Sequence, residues 1–523
     1  MKKLPIGIST LAKIRAEDYI YVDKTHHVAK LFNSGGRYYF LSRPRRFGKS
    51  LFLDTLKQAF LGRKDLFTGL YLEQNWDWNK SYPVIHFSFG GSSAYESKTT
   101  FLDIVWQNLQ KYAQLYDVNL DTTRNYGTAF YQLIQDISNH QQQQVVILID
   151  EYDKPILDNI TNKIQAIEMR EMLKDLYSII KECDEYIKFV LLTGVSKFSK
   201  VSLFSGLNIL DDISLNTNYA DICGYTQSEL EQEFAEHLAD GNIDKAELKL
   251  WYNGYNFAGS AEQKVYNPFD ILLFCNNNYQ YRSYWFETAT PTFLVRLLQS
   301  QHYFMPKLER LIIGEAQLAS FDVDNIQLIT LLFQTGYLTI EGTTKIGTQF
   351  AYILRYPNLE VKASLNNSLL DISGNINVKN DNSYNLSVAL DDGDFDALAP
   401  IFTSHFASIP HDWYRNNNIA NYEGFYASIV YSYLAALGYD LKAEDTTNQG
   451  RIDLSIVMPD KVIILEFKLT KYGSASEALE QIKAKGYASK YLAENKPIYL
   501  LGISFDIESK NVVECLYEAV QIA

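Results

Sequence analysis

The chain has 523 residues, a formal net charge of −14, four cysteines and eight histidines. It is too long for one hydrophobic core, so several domains are expected. The acidic charge excludes a protein that coats nucleic acid with its whole surface, although a local basic cleft stays compatible with it. The cysteines form no C-x-x-C and the histidines show no metal-ligand spacing, so a disulfide framework or a zinc knuckle is not expected.

No apolar run reaches the roughly 18 residues that span a bilayer. The first residues, Met1–Pro5, lack the apolar stretch of a signal peptide. These features predict a cytoplasmic protein without a membrane segment.

The first two hundred residues alternate short apolar runs with longer segments of helical pattern. Apolar runs of this kind suit strands that are buried on both faces of a parallel sheet. The alternation predicts an α/β fold. The runs are Tyr38–Leu41, Val84–Phe89, Val145–Ile149 and Ile187–Leu192.

A phosphate-binding loop follows the first of these strands and opens a helix. Backbone N–H groups and the helix N-terminus surround phosphate oxygens in such a loop. Lys49 is predicted to reach the β- and γ-phosphates of ATP, and the Ser50 hydroxyl to hold Mg²⁺. Arg43 stands where the pattern G-x-x-x-x-G-K-[ST] has its first glycine. The predicted nucleotide-binding residues of the loop are Arg43, Pro44, Arg45, Arg46, Phe47, Gly48, Lys49 and Ser50.

A second element supports this loop. The run Val145–Ile149 ends in Asp150 and Glu151. We expect Asp150 to help hold Mg²⁺ from just outside its direct ligands, and Glu151 to polarise the attacking water. The alternative is a buried strand followed by a helix-starting Asp. Thr193, at the end of the next strand, is a candidate sensor of the γ-phosphate, and simple strand termination is the competing interpretation.

The middle of the chain is mainly helical from about residue 224. A predicted helix at Ile326–Gln334 leads into strands at Tyr337–Ile340 and Ala351–Arg355, which is the order of a winged-helix module. Residues 365–387 are rich in Asn, Ser and Asp, so an irregular insertion or linker is expected there.

The last region has its own constellation of charged residues. Strands Ile452–Met458 and Lys461–Phe467 flank the turn Pro459-Asp460, and a helix and a further strand follow. Alternate residues of a strand share a face, so Glu466 and Lys468 point the same way. Pairing about the turn would set Asp453 opposite Glu466.

Two carboxylates and a lysine at the end of a buried strand suit metal-dependent hydrolysis of phosphodiesters. Asp453 and Glu466 are predicted to bind Mg²⁺ or Mn²⁺, and Lys468 to orient or deprotonate the water. The alternative is an ion pair at the surface of a sheet edge. The predicted burial of Glu466 argues against that alternative.

These motifs carry a family resemblance. Five of them are similar to motifs of the bacterial AAA-ATPase-like family. They are Tyr21–Thr25 (YVDKT), the loop at 43–50, Leu148–Asp153 (LIDEYD), Thr193–Phe198 (TGVSKF) and Trp251–Tyr255 (WYNGY). The resemblance covers nearly the whole chain. It implies that an arginine in place of the first glycine, as at Arg43, is normal for this family. It also implies that residues 220–300 form a helical lid.

Family members typically end in a domain of the PD-(D/E)XK nuclease superfamily, and the pattern D-x(12)-E-x-K of Asp453, Glu466 and Lys468 resembles its core. The resemblance implies two further catalytic positions. Glu423 lies on the preceding helix, where many members have another acidic ligand. Gln481 lies on the following helix, where many members have a polar active-site residue.

The predicted fold class is α/β. It combines a P-loop NTPase domain of AAA/ASCE type, a helical lid, a winged-helix-like middle and a PD-(D/E)XK restriction-endonuclease-like domain. The predicted boundaries are 1–220 for the ATPase domain, 221–310 for the lid, 311–365 for the winged-helix-like module, 366–393 for a linker or insertion and 394–523 for the nuclease-like domain.

The leading hypothesis is an ATPase that regulates a metal-dependent nuclease, with ATP, Mg²⁺ or Mn²⁺, and DNA or RNA as its ligands. One alternative is a nucleotide-driven switch or assembly protein whose last domain binds nucleic acid or protein without cleaving it. Another is an ATPase whose winged-helix-like segment makes only protein contacts. Association into a homo-oligomer stays open.

Overall fold

A computed structural model describes the chain with several gaps. The residues outside the description are 92–94, 96, 198–208, 260–263, 288–293, 296, 299–302, 319–323, 325–326, 374–375, 410–422, 448 and 521–523. For residues 287, 372, 373 and 376 only the backbone is described. Two residues named above fall in these gaps: Phe198, from one of the motifs, and Ile326, from a predicted helix.

The chain divides into two compact units, and each is built from two separate stretches of sequence. The first unit contains Met1–Ala289 and Ile312–Asn358, and the second contains Thr290–Leu311 and Leu359–Ala523. The predicted boundaries at 310 and 394 differ from this division. Residues 290–310 of the predicted lid, and the whole of 366–393, group with the C-terminal unit.

The first unit is organised around a five-stranded sheet in the order β2-β3-β4-β1-β5, with parallel pairing throughout. Its central strands are apolar and buried, as a sheet with both faces covered requires. The predicted α/β fold with a parallel sheet is therefore confirmed. The strands are β1 (Tyr38–Ser42), β2 (Val84–Ser88), β3 (Val145–Asp150), β4 (Ile187–Gly194) and β5 (Asp211–Asp212).

Helices surround this sheet and form the region after it. Several begin at a side-chain cap, such as Asn125, Asn162 and the capping box of Thr226 with Glu229. None of the described helices has both the length and the apolar composition needed to cross a membrane. The helices are Leu11–Ala16, Thr25–Asn33, Lys49–Phe60, Lys98–Leu115, Tyr126–Gln141, Lys154–Leu157, Lys163–Glu182, Gln227–Glu233, Ala235–Asp240, Lys245–Tyr252, Pro268–Asn276, Tyr284–Glu287, Glu315–Leu318 and Leu328–Thr335.

A helix followed by a hairpin closes the first unit. The helix Leu328–Thr335 ends at Gly336, whose φ of 94° suits a left-handed cap. The antiparallel strands β7 (Thr339–Ile346) and β8 (Gln349–Arg355) follow, and β6 (Leu311–Gly314) lies beside β8. The predicted succession of helix and hairpin is confirmed, while the assignment as a winged helix stays a prediction.

The expectation of an irregular insertion or linker at 365–387 was wrong. Helices Leu359–Ser373 and Ile376–Asp392 occupy this stretch. Asn, Ser and Asp disfavour a helix interior only weakly, and burial of an apolar face outweighs that preference. The buried side chains include Val361, Leu365 and Leu386.

The second unit contains a five-stranded mixed sheet in the order β13-β12-β11-β10-β9. The predicted helix Ser476–Leu492 is an α-helix over Ala475–Ala484 and a 3-10 helix over Tyr487–Glu494. The edge strands β9 and β13 were not predicted. The strands are β9 (Asp440–Thr446), β10 (Arg451–Val457), β11 (Val462–Leu469), β12 (Ile498–Asp506) and β13 (Asn511–Ala519), and the other helices are Leu398–Ser408 and Glu423–Ala436.

Candidate functional sites

The loop after β1 turns directly into the helix Lys49–Phe60. Gly48 is the N-cap residue, and its φ of 91° is a left-handed conformation that favours glycine. Arg46 also has a positive φ, of 66°. The loop therefore wraps around the positive end of a twelve-residue helix, where backbone N–H groups are free to bind an anion.

Lys49 lies inside this loop and is only 7% exposed. Its Nζ donates to the carbonyl oxygens of Arg43 and Pro44, each at 2.9 Å. Burial lowers the pKa of Lys49, and the nearby Asp150 carboxylate opposes this effect. The loop thus holds a cation next to the helix N-terminus, which is an arrangement suited to phosphate.

A cavity of about 530 Å³ opens beside the loop. This volume falls in the range of small-molecule sites. The predicted residues that line it are Arg45, Arg46, Phe47, Gly48, Lys49, Ser50 and Glu151. The remaining wall comes from the N-terminal segment and the helical region, for example Tyr21, Lys24, Cys223 and Phe269. Arg46 stacks on the ring of Phe269, with 4.7 Å between its Cζ and the ring centroid.

Two residues of the predicted phosphate loop lie away from this cavity. The Arg43 side chain is 1% exposed, and it donates to the carbonyl oxygens of Ser214 at 2.7 Å and Tyr219 at 2.9 Å. Burial lowers the pKa of Arg43 to about 10. Pro44 packs near Gly336. The Arg43 guanidinium satisfies buried carbonyl groups and fixes the base of the loop, and a part for Arg43 in binding nucleotide stays a prediction.

Asp150 and Thr193 meet at the carboxyl ends of β3 and β4. Thr193 Oγ1 donates to Asp150 Oδ1 at 2.8 Å, and both side chains are buried. The Thr193 hydroxyl therefore orients Asp150, and its role as a sensor of the γ-phosphate stays a prediction. The register of the parallel sheet brings β4 between β3 and β1, so this pair lies beside the start of the phosphate loop.

Glu151 lines the cavity in a strained conformation. Its φ is 53°, which is uncommon for a residue with a side chain. Burial raises its pKa, and the adjacent Asp150 raises it further. Gly90 leaves room for it, because a Cβ there would lie 2.7 Å from Glu151 Oε2. Sequence reasoning missed Gly90, which the sheet brings close through the pairing of β2 with β3.

The second candidate site lies on β10 and β11. The two strands pair in antiparallel fashion from Val457↔Val462 to Leu454↔Leu465. Continuing this register sets Asp453 opposite Glu466, as the sequence predicted. Asp453 Oδ2 accepts a hydrogen bond of 2.9 Å from the backbone N–H of Phe467. Burial raises the pKa of Asp453, and this hydrogen bond partly offsets the effect.

Glu466 is the most deeply buried acid of this site, at 2% exposure. Burial and then the charge of Asp453 raise its pKa to about 8. Its Oε1 accepts a hydrogen bond from Gln481 Nε2 and lies 3.5 Å from Lys468 Nζ. Its Oε2 is buried and has no hydrogen-bond partner within the described part of the chain. An orphaned carboxylate oxygen in a buried site is where a cation fits.

Glu423 and Lys468 complete this group. Burial raises the pKa of Glu423, Asp453 raises it further, and Lys468 lowers it. These three charges therefore interact, and Glu423 starts the helix that precedes the sheet. The carboxyl groups of Glu423, Asp453 and Glu466 are all biased toward their neutral forms by burial and mutual repulsion. A divalent cation would relieve that repulsion.

Two residues that sequence reasoning missed support Glu466. Gly502 pairs with Glu466 across β11 and β12, and the carbonyl oxygen of Ala475 would lie 2.1 Å from a Cβ at this glycine. Because position 502 has no side chain, the helix that carries Gln481 can pack closely against β12. Tyr487 donates to the carbonyl of Arg451 at 2.9 Å. No sequence pattern marks either position, because both depend on packing between elements.

Comparison with known proteins gives two family matches and one similar protein. Residues 5–204 match the family described as "Predicted AAA-ATPase", and residues 421–515 match the PD-(D/E)XK nuclease superfamily. The chain is also 48% identical, over 531 aligned residues, to a protein of Azotobacter chroococcum mcd 1 described as "Uncharacterized protein in vnfD 5'region". That alignment covers 99% of both chains.

Proposed function

Since the chain belongs to this family of predicted AAA-ATPases with a C-terminal PD-(D/E)XK nuclease-superfamily domain, we propose that it binds and hydrolyses ATP and cleaves DNA or RNA in a metal-dependent reaction. The observation that carries the nuclease part is Glu466, a buried carboxylate with one oxygen left without a partner among the described residues. A cytoplasmic location is part of the proposal, because ATP is supplied there.

In the first unit, the triphosphate would bind at the loop of residues 45–50. The helix N-terminus and Lys49 supply the positive charge, and Ser50 supplies a hydroxyl ligand for Mg²⁺. Asp150, oriented by Thr193, would hold the Mg²⁺ ion through the water around it. Glu151 would accept a proton from the attacking water. Its raised pKa and its position in the cavity wall support this role.

In the second unit, Asp453 and Glu466 would hold Mg²⁺ or Mn²⁺, and Glu423 would add a further acidic group. The cation supplies Lewis-acid stabilisation of charge that develops on the phosphate. Lys468, on the same face of β11 as Glu466, would orient the attacking water or take a proton from it. Gln481 would keep Glu466 in place through its hydrogen bond to Oε1.

The direct test compares the full-length protein with Lys468→Ala on plasmid, single-stranded DNA and RNA, with Mg²⁺ or Mn²⁺ and ATP. We expect a loss of cleavage of about 100-fold or more, since general acid–base groups contribute about 10²–10⁴-fold. Lys485→Ala is the matched control, because Lys485 is an exposed lysine just beyond the helix that carries Gln481.

If wild type and Lys468→Ala behave alike on every substrate, the nuclease proposal is wrong. ATP-dependent binding of nucleic acid or protein that survives Asp453→Ala and Glu466→Ala would instead favour a nucleotide-driven switch without cleavage. The net charge of −14 motivates that alternative. Loss of ATP binding in Lys49→Ala tests the first unit separately.

A further inference from the structure

A third group of possible metal ligands lies in the first unit, apart from both proposed sites. His26 and His27 occupy the first turn of the helix Thr25–Asn33, and Asp221 approaches them from much later in the chain. One ligand atom from each residue lies within 4.8 Å of the other two. The histidines are adjacent in sequence, so their spacing alone gave no sign of a metal site.

The contacts within this group are incomplete. His27 is 2% exposed, and its Nε2 lies 3.1 Å from Asp221 Oδ1. The other ring nitrogen, Nδ1, is buried without a hydrogen-bond partner among the residues described. A buried histidine that is simply paired with a carboxylate does not need a second imidazole beside it. Here His26 stands beside the pair, with 4.0 Å between the two imidazole centroids.

The surroundings of this group suit a metal ion. A histidine coordinates a metal ion as the neutral imidazole, through one of its ring nitrogens. Lys24, the N-cap residue of the same helix, is already paired with Glu229 at 2.6 Å.

We propose that His26, His27 and Asp221 bind a divalent transition-metal ion, with Zn²⁺ as its closest match in ligand type. Two imidazoles and one carboxylate form a common set of three protein ligands for Zn²⁺, with water in the fourth position. Mg²⁺ prefers oxygen ligands, so this site is chemically distinct from the two proposed Mg²⁺ sites.

Such an ion would join two separate parts of the first unit. Asp221 is followed directly by Ile222, Cys223 and Gly224, which line the cavity beside the phosphate loop. The helix Thr25–Asn33 begins next to Lys24, which lines the same cavity. The ion would fix these two parts of the cavity wall to each other and stabilise the folded unit.

The test uses full-length protein that is first stripped with a chelator and then dialysed against Zn²⁺ and Mg²⁺ together. Elemental analysis should find about one zinc per chain beyond the amount in His26→Ala and in Asp221→Asn. His140→Ala is the matched control, because His140 is an exposed histidine on another helix, and it should keep the full amount. Co²⁺ should give a visible absorption band that the first two variants lack.

Zinc content equal in wild type, His26→Ala and Asp221→Asn would overturn the proposal. Asp221→Asn keeps the size of the side chain, so it separates loss of the ligand from loss of the fold, which thermal unfolding without metal would reveal. Zinc binding should persist in Lys49→Ala and Lys468→Ala. A failure of the ATPase or nuclease proposals would therefore leave this result unaffected.

Discussion

The proposed chemistry of the C-terminal unit depends most on one carboxylate, that of Glu466. It is almost completely buried, faces another acid and has only one oxygen engaged by protein groups in the described part of the chain. Burying a charged carboxylate costs free energy, so a buried acid of this kind is a candidate for a functional role such as binding a cation. The neighbouring Lys468 and Gln481 engage Glu466 Oε1 and leave Oε2 for a cation.

The raised pKa of Glu466 predicts how stability depends on pH without metal. The folded-state pKa of about 8 lies above the usual value of 4.5, so the folded protein binds more protons between these values. Stability from the neutral acid is full below about pH 4.5 and is lost as the pH rises through 8. The loss is on the order of 5 kcal/mol, at about 1.4 kcal/mol per pKa unit.

Thermal unfolding of wild type and Glu466→Gln from pH 5 to pH 9, in chelator, measures this effect. The wild-type Tm should fall more steeply with pH than that of the variant, which keeps a smaller decline from Asp453 and Glu423. Mg²⁺ should restore the wild-type Tm at pH 9 and leave the variant nearly unchanged. Parallel curves for the two proteins would show that Glu466 is not held neutral.

At the scale of elements, the arrangement of the candidate metal site depends on how closely one helix packs against β12. The helix Ala475–Ala484 lies so close to β12 that only glycine fits at position 502, opposite Glu466 in the sheet. The capping box of Ser474 and Glu477 fixes where this helix starts. Together they bring Gln481 to Glu466.

Gly502→Ala should therefore impair both stability and activity. A methyl group there would meet the backbone carbonyl of Ala475 and force the helix away, with a cost of about 1–3 kcal/mol. Denaturant unfolding and the nuclease assay measure the two effects. Gly342→Ala is the control, since a Cβ at Gly342 meets no atom within 4 Å. Equal stability of the two variants would contradict the close approach.

The sequence predicted those elements whose pattern is local. The register of Asp453 with Glu466 followed from the turn Pro459-Asp460 and the twofold period of strands, and the structure confirms the pairing of these strands. The helices at 359–392 could not be predicted in this way, because their stability comes from packing. The edge strand β9 was missed because its sequence, DLKAEDT, buries only Leu441.

Side chains that act through distant partners were the hardest to predict. The hydroxyl of Thr193 could be placed near the phosphate loop from sequence, but its bond to Asp150 needed the strand order. Similarly, nothing near His26 and His27 in the sequence indicates Asp221. Contacts of this kind follow from tertiary structure and leave no periodic pattern in the chain.

For the whole molecule, the two units predict two unfolding events. Each unit has its own sheet and its own buried core. A ligand raises the stability of the unit that binds it by mass action. The units also carry separate candidate sites, one for nucleotide and one for a divalent cation.

Differential scanning calorimetry should resolve two transitions in the full-length protein. A non-hydrolysable ATP analogue with Mg²⁺ should raise the transition of the first unit by several degrees, and Lys49→Ala should abolish this shift. Mn²⁺ alone should raise the other transition in wild type but not in Asp453→Asn. One transition that moves as a whole with either ligand would show that the units unfold together.

The segment Thr290–Leu311 has a consequence for how the protein is made. It belongs to the C-terminal unit, where Glu309 accepts from Tyr431 at 2.7 Å and pairs with Lys362 at 2.6 Å. During synthesis this segment leaves the ribosome before the rest of its unit, while the first unit is completed by Ile312–Asn358. The partners of Glu309 lie 53 and 122 residues downstream, so the segment must stay unfolded until they have been synthesised.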